Sequence, residues 1–372
     1  MKITCAQVFE ARGTFVSREL YMEDGMLTDR DCGGEVINAE GCYAIPGLTD
    51  VHFHGAVGHD FSDGDADGLA AIAEYELSRG VTQICPAGMT LLPEDLEKMC
   101  TVAAEHRKAK KPGASLCGIH LEGPFLSVAK KGAQNGDWIQ RPDVALLRKL
   151  EEVSGGLVKL VSIAPEVEGA MDFIREASGE VRVSIAHTTA DYDTAMAAFA
   201  AGASHVTHLF NAMPAFTHRA PGVVGAAFDT PDCRVELICD GIHIPPSVVR
   251  SVCKLFGADR VVLVSDTMRS AGMADVDYSL GGQPVIKKGK YATLADGTLA
   301  GSVTDLMDCM RTAVSFGIPL ADAVRAAAVN PARAIGIYSR CGSLESGKWA
   351  NVVLLNKDLS IRNVICKGEL IA

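Results

Sequence analysis

Residues 46–55, Pro-Gly-Leu-Thr-Asp-Val-His-Phe-His-Gly, are a short apolar stretch that ends in two histidines separated by one residue. Side chains of a β-strand alternate between two faces, so the spacing predicts that His52 and His54 share one face while Val51 and Phe53 take the other. Two imidazoles on one face at the end of a strand are typical of half a transition-metal site. The other half must come from elsewhere in the chain.

Seven more apolar stretches of strand length follow, and amphipathic segments with helical periodicity separate most of them. Pro93 and Asp191 stand where two of these helices are predicted to begin. Eight apolar strands that alternate with helices predict an α/β fold, a parallel (β/α)8 TIM barrel. The predicted strands are residues 43–49, 81–86, 116–121, 158–163, 181–186, 204–208, 235–239 and 260–264.

The two ends of the chain do not continue this alternation. Residues 1–45 and 338–372 contain short strand-like stretches with glycine turns, and we expect them to form one small β-sandwich domain beside the barrel of residues 46–337. A glycine-rich stretch, residues 272–297, predicts a β-hairpin inserted near the barrel mouth.

Composition restricts the possible partners and the compartment. A formal net charge of −11 argues against nucleic acid or an anionic membrane as a partner. The 12 cysteines are scattered without a Cys-x-x-Cys motif, and the first residues lack a signal-peptide core, so we expect a reduced, cytoplasmic setting. No apolar run approaches the length of a membrane span, and we expect a soluble protein.

Residues that can bind a metal or transfer a proton stand at the predicted carboxyl ends of the strands, where barrels of this type have their active sites. One such histidine alone is more often packed or solvated than a ligand, but the joint placement favours a metal centre. Imidazoles and a carboxylate hold a divalent ion that activates water, and a second carboxylate moves protons. The residues are His52, His54, Glu122, His187, His208, His243 and Asp266.

Asp266, alone after the eighth strand, suits the proton-transfer role, with a helix cap or a plain metal ligand as the alternatives. Glu122 would bridge two ions if both pairs of histidines bind metal. The pattern therefore predicts metal-assisted hydrolysis. His59, His106 and His205 are expected to be structural.

Several longer motifs resemble the amidohydrolase superfamily along the whole chain, and within it the family of N-acetylglucosamine-6-phosphate deacetylases. The resemblance implies a metal-dependent enzyme that hydrolyses an N-acetylated amino-sugar phosphate to the free amine and acetate. The motifs are residues 46–55, 120–125, 186–188, 208–214, 218–222, 240–243, 265–266 and 299–302.

The resemblance also implies roles at the metal centre. Glu122, His187 and His208 match the ligands of the better-defined ion, and the retained His52 and His54 permit a second. The resemblance therefore implies one or two divalent ions per subunit. Zinc is the first expectation, and iron or another transition metal is the alternative. Asp266 matches the family's general base and acid.

Substrate contacts are implied in the same way. Arg219 matches a phosphate-binding arginine that the family supplies from a neighbouring subunit, so a homodimer is expected. Gln134 stands where many members carry a histidine that polarises the acetamide carbonyl, and an amide still donates a neutral hydrogen bond. The other implied contacts with the sugar phosphate and the acetyl group are Ala133, Asn211, Ala212, His243, Leu299, Ala300 and Gly301.

Three alternatives stay open at this point. The same ligands could serve another N-acyl sugar phosphate, such as N-acetylgalactosamine 6-phosphate, or a cyclic amide. Arg219 and the Asn-Ala-Met-Pro run at residues 211–214 argue against the cyclic amide. A barrel without catalytic activity is disfavoured because no metal or proton-transfer position is missing.

Overall fold

The computed structural model describes residues 1–371. Its centre is a curled sheet of parallel strands that pair with their neighbours in chain order. Seven of them are Ala87–Gly88, Ile119–Phe125, Val158–Ile163, Arg182–Ile185, His205–Val206, Arg234–Ile238 and Val261–Val264. A second parallel sheet precedes them and consists of Leu48–Asp50, Val81–Ile84 and Ser115–Leu116.

Backbone hydrogen bonds join the two parallel sheets, between residues just beyond Leu48–Asp50 and residues just beyond Val261–Val264. The amide of Asp266 donates to the carbonyl of His52 (2.9 Å), and the amides of His54 and Gly55 donate to the carbonyl of Thr267 (2.6 and 3.0 Å). The side chain of Ser265 donates to Asp50, 215 positions earlier (2.5 Å). Residues that follow Leu48–Asp50 and residues that follow Val261–Val264 therefore meet at one rim.

The prediction of one strand over residues 43–49 is wrong, because the structure splits it between two sheets. Tyr43–Pro46 pairs with Val352–Leu355, whereas Leu48–Asp50 pairs with Val81–Ile84. Gly47 lies at the break, where a Cβ atom would be only 2.0 Å from the Thr82 hydroxyl. The chain can pass from one sheet to the other here because glycine leaves room for Thr82.

Helices follow most of the parallel strands, and aspartates cap several of them. Asp65, Asp143, Asp191 and Asp305 each accept hydrogen bonds from backbone amides of the first turn. Pro93 begins a helix, as the sequence predicts. The α-helices are Ala66–Ser78, Pro93–Ala109, Val144–Ser154, Ala170–Ala177, Tyr192–Ala201, Gly222–Asp229, Pro246–Phe256, Leu306–Ser315, Leu320–Val324 and Asn330–Ala334, with a π-helical turn at Arg325–Val329.

Two further sheets contain the strands of both chain ends. One has four strands, Lys2–Thr4, Leu20–Glu23, Met26–Thr28 and Val36–Asn38. The other has six, Gln7–Glu10, Thr14–Ser17, Tyr43–Pro46, Val352–Leu355, Ile361–Cys366 and Glu369–Leu370. Ile3, Val8, Leu20, Val352 and Ile365 are buried together in one apolar cluster. Residue 372, the last of the predicted domain, lies outside the described residues.

The insertion after the last parallel strand is a three-stranded antiparallel sheet and not the predicted hairpin. Its strands are Asp277–Leu280, Gln283–Lys288 and Tyr291–Thr293. Leu280 and Val285 pack with Met89 and Met268, which lie just beyond the ends of parallel strands. The third strand is needed because it contributes the buried Ala292 to this cluster.

Within residues 1–371, no helix has both the length and the apolar character that a membrane crossing requires.

Gly55 provides a test of the close packing behind His54. A Cβ atom there would be 2.1 Å from the carbonyl oxygen of His59, a backbone atom that cannot rotate away. We expect Gly55→Ala to lower the free energy of unfolding by about 1–3 kcal/mol. Gly179→Ala is the control, since nothing lies within 4 Å of its added carbon. Equal denaturation midpoints for the two variants would contradict this account of the packing.

Candidate metal centre and active site

The strand ends bring the predicted ligands together. His52 and His54 follow Leu48–Asp50, and Glu122 lies within Ile119–Phe125. His187, His208 and Asp266 each stand two residues beyond a parallel strand. Because parallel strands end at the same edge of a sheet, side chains far apart in sequence converge here.

The carboxylate of Glu122 is at the centre of this cluster. Its Oε1 is 2.9 Å from His208 Nε2, 3.1 Å from His187 Nε2 and 3.3 Å from His52 Nε2. Its Oε2 is 3.3 Å from His54 Nε2. Glu122 is only 3% exposed, so a proton or a cation held between its oxygens and these nitrogens must replace the water that the charge has lost.

Hydrogen bonds on the far side of the rings fix which nitrogen points into the cluster. The Nδ1 atom of His54 lies 3.1 Å from the Ala87 carbonyl, that of His187 lies 2.8 Å from the Lys130 carbonyl, and that of His52 lies 2.7 Å from Glu236. Carbonyl and carboxylate oxygens only accept, so each Nδ1 carries a proton. In the neutral ring the Nε2 lone pair is then directed at Glu122.

This arrangement fits a bound cation. His187 Nε2 and His208 Nε2 are 3.1 Å apart, so a lone pair on each would repel the other unless a proton or a cation lies between them. His52 Nε2 is buried without a hydrogen-bond partner. Within residues 1–371, three groups have one ligand atom per residue within 4.8 Å of the others: Glu122 with His187 and His208, His52 with His54 and Asp266, and, behind them, His52 with His120 and Glu236. Mixed nitrogen and carboxylate donors suit a divalent transition metal.

The pKa shifts show the same demand for positive charge. Burial acts to lower the pKa of His54, but hydrogen bonds to Asp266 and Glu122 raise it to about 10. Burial acts to raise the pKa of Glu122, but the charge of His52 and hydrogen bonds from His187 and His208 hold it well below its usual range. The carboxylates therefore stay ionised and attract either protons on the imidazoles or a metal ion.

Asp266 faces the cluster from the last strand. Its Oδ1 is 3.3 Å from His54 Nε2 and 3.7 Å from His52 Nε2. Burial acts to raise its pKa, but the hydrogen bond to His54 and the charges of His52 and His54 lower it below the usual value. Asp266 thus presents an ionised oxygen to the same space as the imidazoles.

Several of these residues have a backbone conformation that is unusual for side chains with a Cβ atom. His187, His208 and Asp266 have φ of +42°, +29° and +50°. Such conformations cost free energy and persist only where the surroundings impose them, most often at functional sites. Gly301 supports Asp266, because at its φ of +87° a Cβ atom would be 2.9 Å from the Asp266 carbonyl oxygen.

A cavity of about 360 Å³ opens above the cluster. It is lined by His54, Glu122, His187, His208 and Asp266, together with the predicted contacts Ala133, Gln134, Asn211, Ala212, His243, Leu299 and Gly301. His52 is fully buried beneath it, and Ala300 is buried in the apolar cluster of the insertion. Arg219 is exposed and does not line the cavity of its own chain.

Gln134 contacts the carboxylate at the centre of the cluster. Its Nε2 donates to Glu122 Oε2 (2.6 Å), and its Oε1 accepts from the amide of Thr90 (2.7 Å). Because the Thr90 amide can only donate, it fixes the orientation of the Gln134 amide group. Gln134 therefore orients Glu122 from the wall of the cavity.

His243 is held from behind by a carboxylate. Its Nδ1 is 2.7 Å from Asp240 Oδ2, and its backbone amide donates to Asp240 Oδ1 (2.9 Å). Burial acts to lower the pKa of His243, but the hydrogen bond to Asp240 raises it above the usual value. The remaining ring nitrogen is thus a donor suited to an anionic group in the cavity.

Glu236 is a buried residue of this site that the sequence analysis did not identify. It accepts hydrogen bonds from His52 Nδ1 (2.7 Å), His205 Nε2 (3.1 Å) and the amide of His208 (3.2 Å). A carboxylate behind a ligand histidine fixes the ring and raises its basicity. The available signal was one acidic residue between the apolar residues of a strand, Arg234–Ile238.

Lys130 is a second residue that the sequence analysis did not identify. It lines the cavity, and its carbonyl accepts from His187. It stands in the short helical turn Val128–Lys130, for which the sequence offered no periodic pattern.

Comparison with known proteins agrees with this geometry. The amidohydrolase family model matches residues 43–371. The N-acetylglucosamine-6-phosphate deacetylase of Bacillus subtilis is 37% identical over 88% of this chain and 84% of its own length. The N-acetylgalactosamine-6-phosphate deacetylase of Escherichia coli O157:H7 is 35% identical over 87% and 86%.

Solved structures show the same relationship. The crystal structure of N-acetyl-D-glucosamine-6-phosphate deacetylase from Mycobacterium smegmatis superimposes with a TM-score of 0.93 at 32% identity, covering 100% of both chains. A mutant of that enzyme was solved in complex with N-acetyl-D-glucosamine-6-phosphate, and it also superimposes with a TM-score of 0.93. These similarities agree with the curled parallel sheet and with the convergent histidines and carboxylates. The chain therefore belongs to the amidohydrolase family.

Proposed function

We propose that this protein is a metal-dependent hydrolase that deacetylates N-acetylglucosamine 6-phosphate to glucosamine 6-phosphate and acetate. The observation that carries the proposal is the placement of Asp266 Oδ1 3.3 Å from His54 Nε2, at the base of a cavity lined by Glu122, His187 and His208. Relatives at 35–37% identity have this activity in their names.

The residues present fit one or two divalent ions, zinc foremost. Glu122, His187 and His208 would hold one ion, and His52 and His54 would hold a second. A bound divalent ion supplies Lewis acidity, which lowers the pKa of a water molecule to near 7 and polarises a carbonyl group.

The side chains of the cavity perform the other parts of the reaction. Asp266 accepts the proton of the attacking water at Oδ1 and delivers it to the leaving nitrogen. His243 donates a hydrogen bond to the sugar phosphate. Asn211 and the backbone of Ala212 contact the same sugar phosphate from another side. Leu299 and Gly301 form the wall beside the acetyl group with Ala300 buried behind them, and Ala133 and Gln134 complete the lining there.

The phosphate requires a full positive charge, and Arg219 is our candidate for it. Arg219 is exposed in its own chain, so we propose that it reaches the cavity of a second copy in a homodimer. A guanidinium group forms two parallel hydrogen bonds with a phosphate, which suits recognition of a dianion.

The architecture and location proposed for the enzyme follow from the same features. We take the curled sheet, joined at the rim by backbone bonds of His52 and Asp266, to be a (β/α)8 barrel of residues 46–337. Residues 1–45 and 338–372 then form a β-sandwich domain beside it. All 12 cysteines are free, which supports a reduced cytoplasmic location.

N-acetylgalactosamine 6-phosphate is the second candidate substrate, because a relative named as the deacetylase of that sugar phosphate is 35% identical to this chain. The two sugars differ in the configuration of one hydroxyl group. The ratio of kcat/KM for the two phosphorylated sugars decides between them.

Asp266→Asn tests the proposed reaction. The wild-type protein should release acetate from N-acetylglucosamine 6-phosphate, and the variant should lose about 10²- to 10⁴-fold in kcat because an amide cannot accept the proton. Its metal content, measured by elemental analysis, should stay near that of the wild type, since Glu122, His187 and His208 are intact. Asp232→Asn, at an exposed position, is the control. Loss of metal together with activity would make Asp266 chiefly a ligand.

Glu236→Gln tests the support behind His52. Removing the negative charge that holds the Nδ1 proton should weaken metal binding by about 10- to 100-fold, as measured by metal retention against a series of chelator concentrations. Glu180→Gln serves for comparison, because Glu180 pairs with Arg148 at the surface (2.7 Å), away from the metal centre. Unchanged metal affinity in Glu236→Gln would show that this carboxylate has no part in the centre.

Arg219→Ala tests the phosphate contact. Loss of a hydrogen bond to a charged group costs about 1.5–3 kcal/mol, so KM for N-acetylglucosamine 6-phosphate should rise roughly 10- to 150-fold. KM for the sugar without phosphate should not change. Equal effects on both sugars would remove the phosphate assignment.

Mixing two variants then shows which chain supplies Arg219. If the arginine reaches the neighbouring cavity, a hybrid of Asp266→Asn and Arg219→Ala chains has one intact site, and the KM of that site is normal. If each chain uses its own arginine, mixing restores nothing.

A further inference from the structure

A second and larger cavity lies at the opposite end of the parallel sheet. It has a volume of about 680 Å³ and is bordered by Ser115–Leu116 and by Lys159, near the amino ends of two strands. Ile335 and Ile337 from the end of the last helix and Trp349 from the chain's return to the terminal sheets complete its walls. We call this cavity the basal groove. It shares no residue with the metal centre.

The charged side chains of the basal groove are all positive. Six cationic residues line it, and no aspartate or glutamate does: Arg107, Lys110, Lys111, Lys159, Arg340 and Lys367. Across the whole sequence acidic residues outnumber basic ones, 46 to 35. A concave surface with one sign of charge concentrates the electrostatic field and attracts ions of the opposite sign.

Most of these cations have no carboxylate partner. Lys111 lies 3.5 Å from Asp67, and Lys159 donates to the carbonyl of Gly156 (2.7 Å). Within residues 1–371, the side chains of Arg107, Lys110 and Arg340 form no ion pair.

One histidine beside the groove has a buried ring nitrogen without a hydrogen-bond partner. His106 is 6% exposed, lines the groove, and has a buried Nδ1 atom without a partner. In the floor, burial raises the pKa of the Cys117 thiol to about 11, and the charges of Arg107, Lys367 and Arg340 act against that rise. Three cations from separate parts of the chain thus act on one point of the floor.

One wall is aromatic. The ammonium group of Lys367 lies 5.2 Å from the centre of the Trp349 ring, and both residues line the groove. The indole is thus next to the cations that a ligand would contact.

We propose that the basal groove binds a small-molecule polyphosphate anion. Several unpaired cations, two of them arginines able to bind phosphate through paired hydrogen bonds, match the charge of such a ligand. The volume lies within the range of small-molecule sites, about 300–1,000 Å³. The net charge of −11 disfavours a nucleic acid, whose backbone would extend beyond the groove.

Tryptophan fluorescence gives a direct test, because the chain has two tryptophans and Trp349 is in the groove. In the full-length metal-loaded Trp138→Phe protein, all tryptophan emission comes from Trp349. Titration with inorganic pyrophosphate should change this emission saturably, with a Kd below about 1 mM. Sodium chloride at matched ionic strength should not reproduce the change. Absence of a saturable change would overturn the proposal.

Charge-removal variants locate the binding. Arg107→Ala with Arg340→Ala should weaken pyrophosphate binding at least about tenfold, since each loses a charge-assisted contact. Lys290→Ala with Lys357→Ala removes two exposed cations elsewhere and should leave Kd unchanged. Equal Kd in the two double variants would overturn the proposal. If the alanine pair is unstable, Arg107→Gln with Arg340→Gln replaces it.

A second titration, with ADP, distinguishes free pyrophosphate from a nucleotide. Tighter binding of ADP would show that the base or sugar contacts the Trp349 wall, and equal binding would show that phosphate alone is recognised. Both results support a polyphosphate site. Deacetylation by the arginine variants should match that of the wild type without the probe, because neither residue lies in the catalytic cavity.

Discussion

The buried charge of Glu122 is the constraint on which the site depends. A carboxylate that is 3% exposed loses most of its hydration, and only close partners can replace it. Nitrogens of His52, His54, His187 and His208, at 2.9–3.3 Å, are those partners, with Gln134 at 2.6 Å. They come from four different segments of the chain. The parallel sheet must therefore bring the ends of its strands to one rim before this charge can be buried.

The same constraint explains the strained backbone around the site. His187, His208 and Asp266 each turn sharply just beyond a strand, with positive φ, so that their side chains point back over the rim. Packing and hydrogen bonds hold these conformations against their cost. Asp266, for example, is held by two backbone hydrogen bonds. Its amide donates to the carbonyl of His52, and its carbonyl accepts from the amide of Ser302 (2.7 Å).

Around the ligands lies a second layer of acceptors that determines what the imidazoles can do. Carbonyls of Ala87 and Lys130 and the carboxylate of Glu236 each accept from a ring nitrogen on the outer side. They leave the inner nitrogens free to bind a cation. The metal centre is thus a property of the whole rim and not of the histidines alone. At the other end of the sheet, the charged side chains that line the basal groove are all positive, whereas the carboxylates of Glu122 and Asp266 line the catalytic cavity.

The sequence by itself determined the local features of this protein. His52 and His54 both approach Glu122, as their spacing predicts, although they stand beyond the strand Leu48–Asp50, and periodic apolar segments predicted the order of the parallel strands. The resemblance to amidohydrolases is confirmed by the family match and by relatives along most of the chain. Parity and helical periodicity act between near neighbours, so they can be read without knowing the fold.

Only the tertiary structure decided the contacts between distant segments. It split residues 43–49 between two sheets at Gly47, placed Glu236 behind His52, and left Arg219 outside the cavity of its own chain. It also gathered Arg107, Arg340 and Lys367 into the basal groove. Such contacts depend on the register and curvature of the sheet, which the packing of the entire chain fixes, and no pattern within a single segment records them.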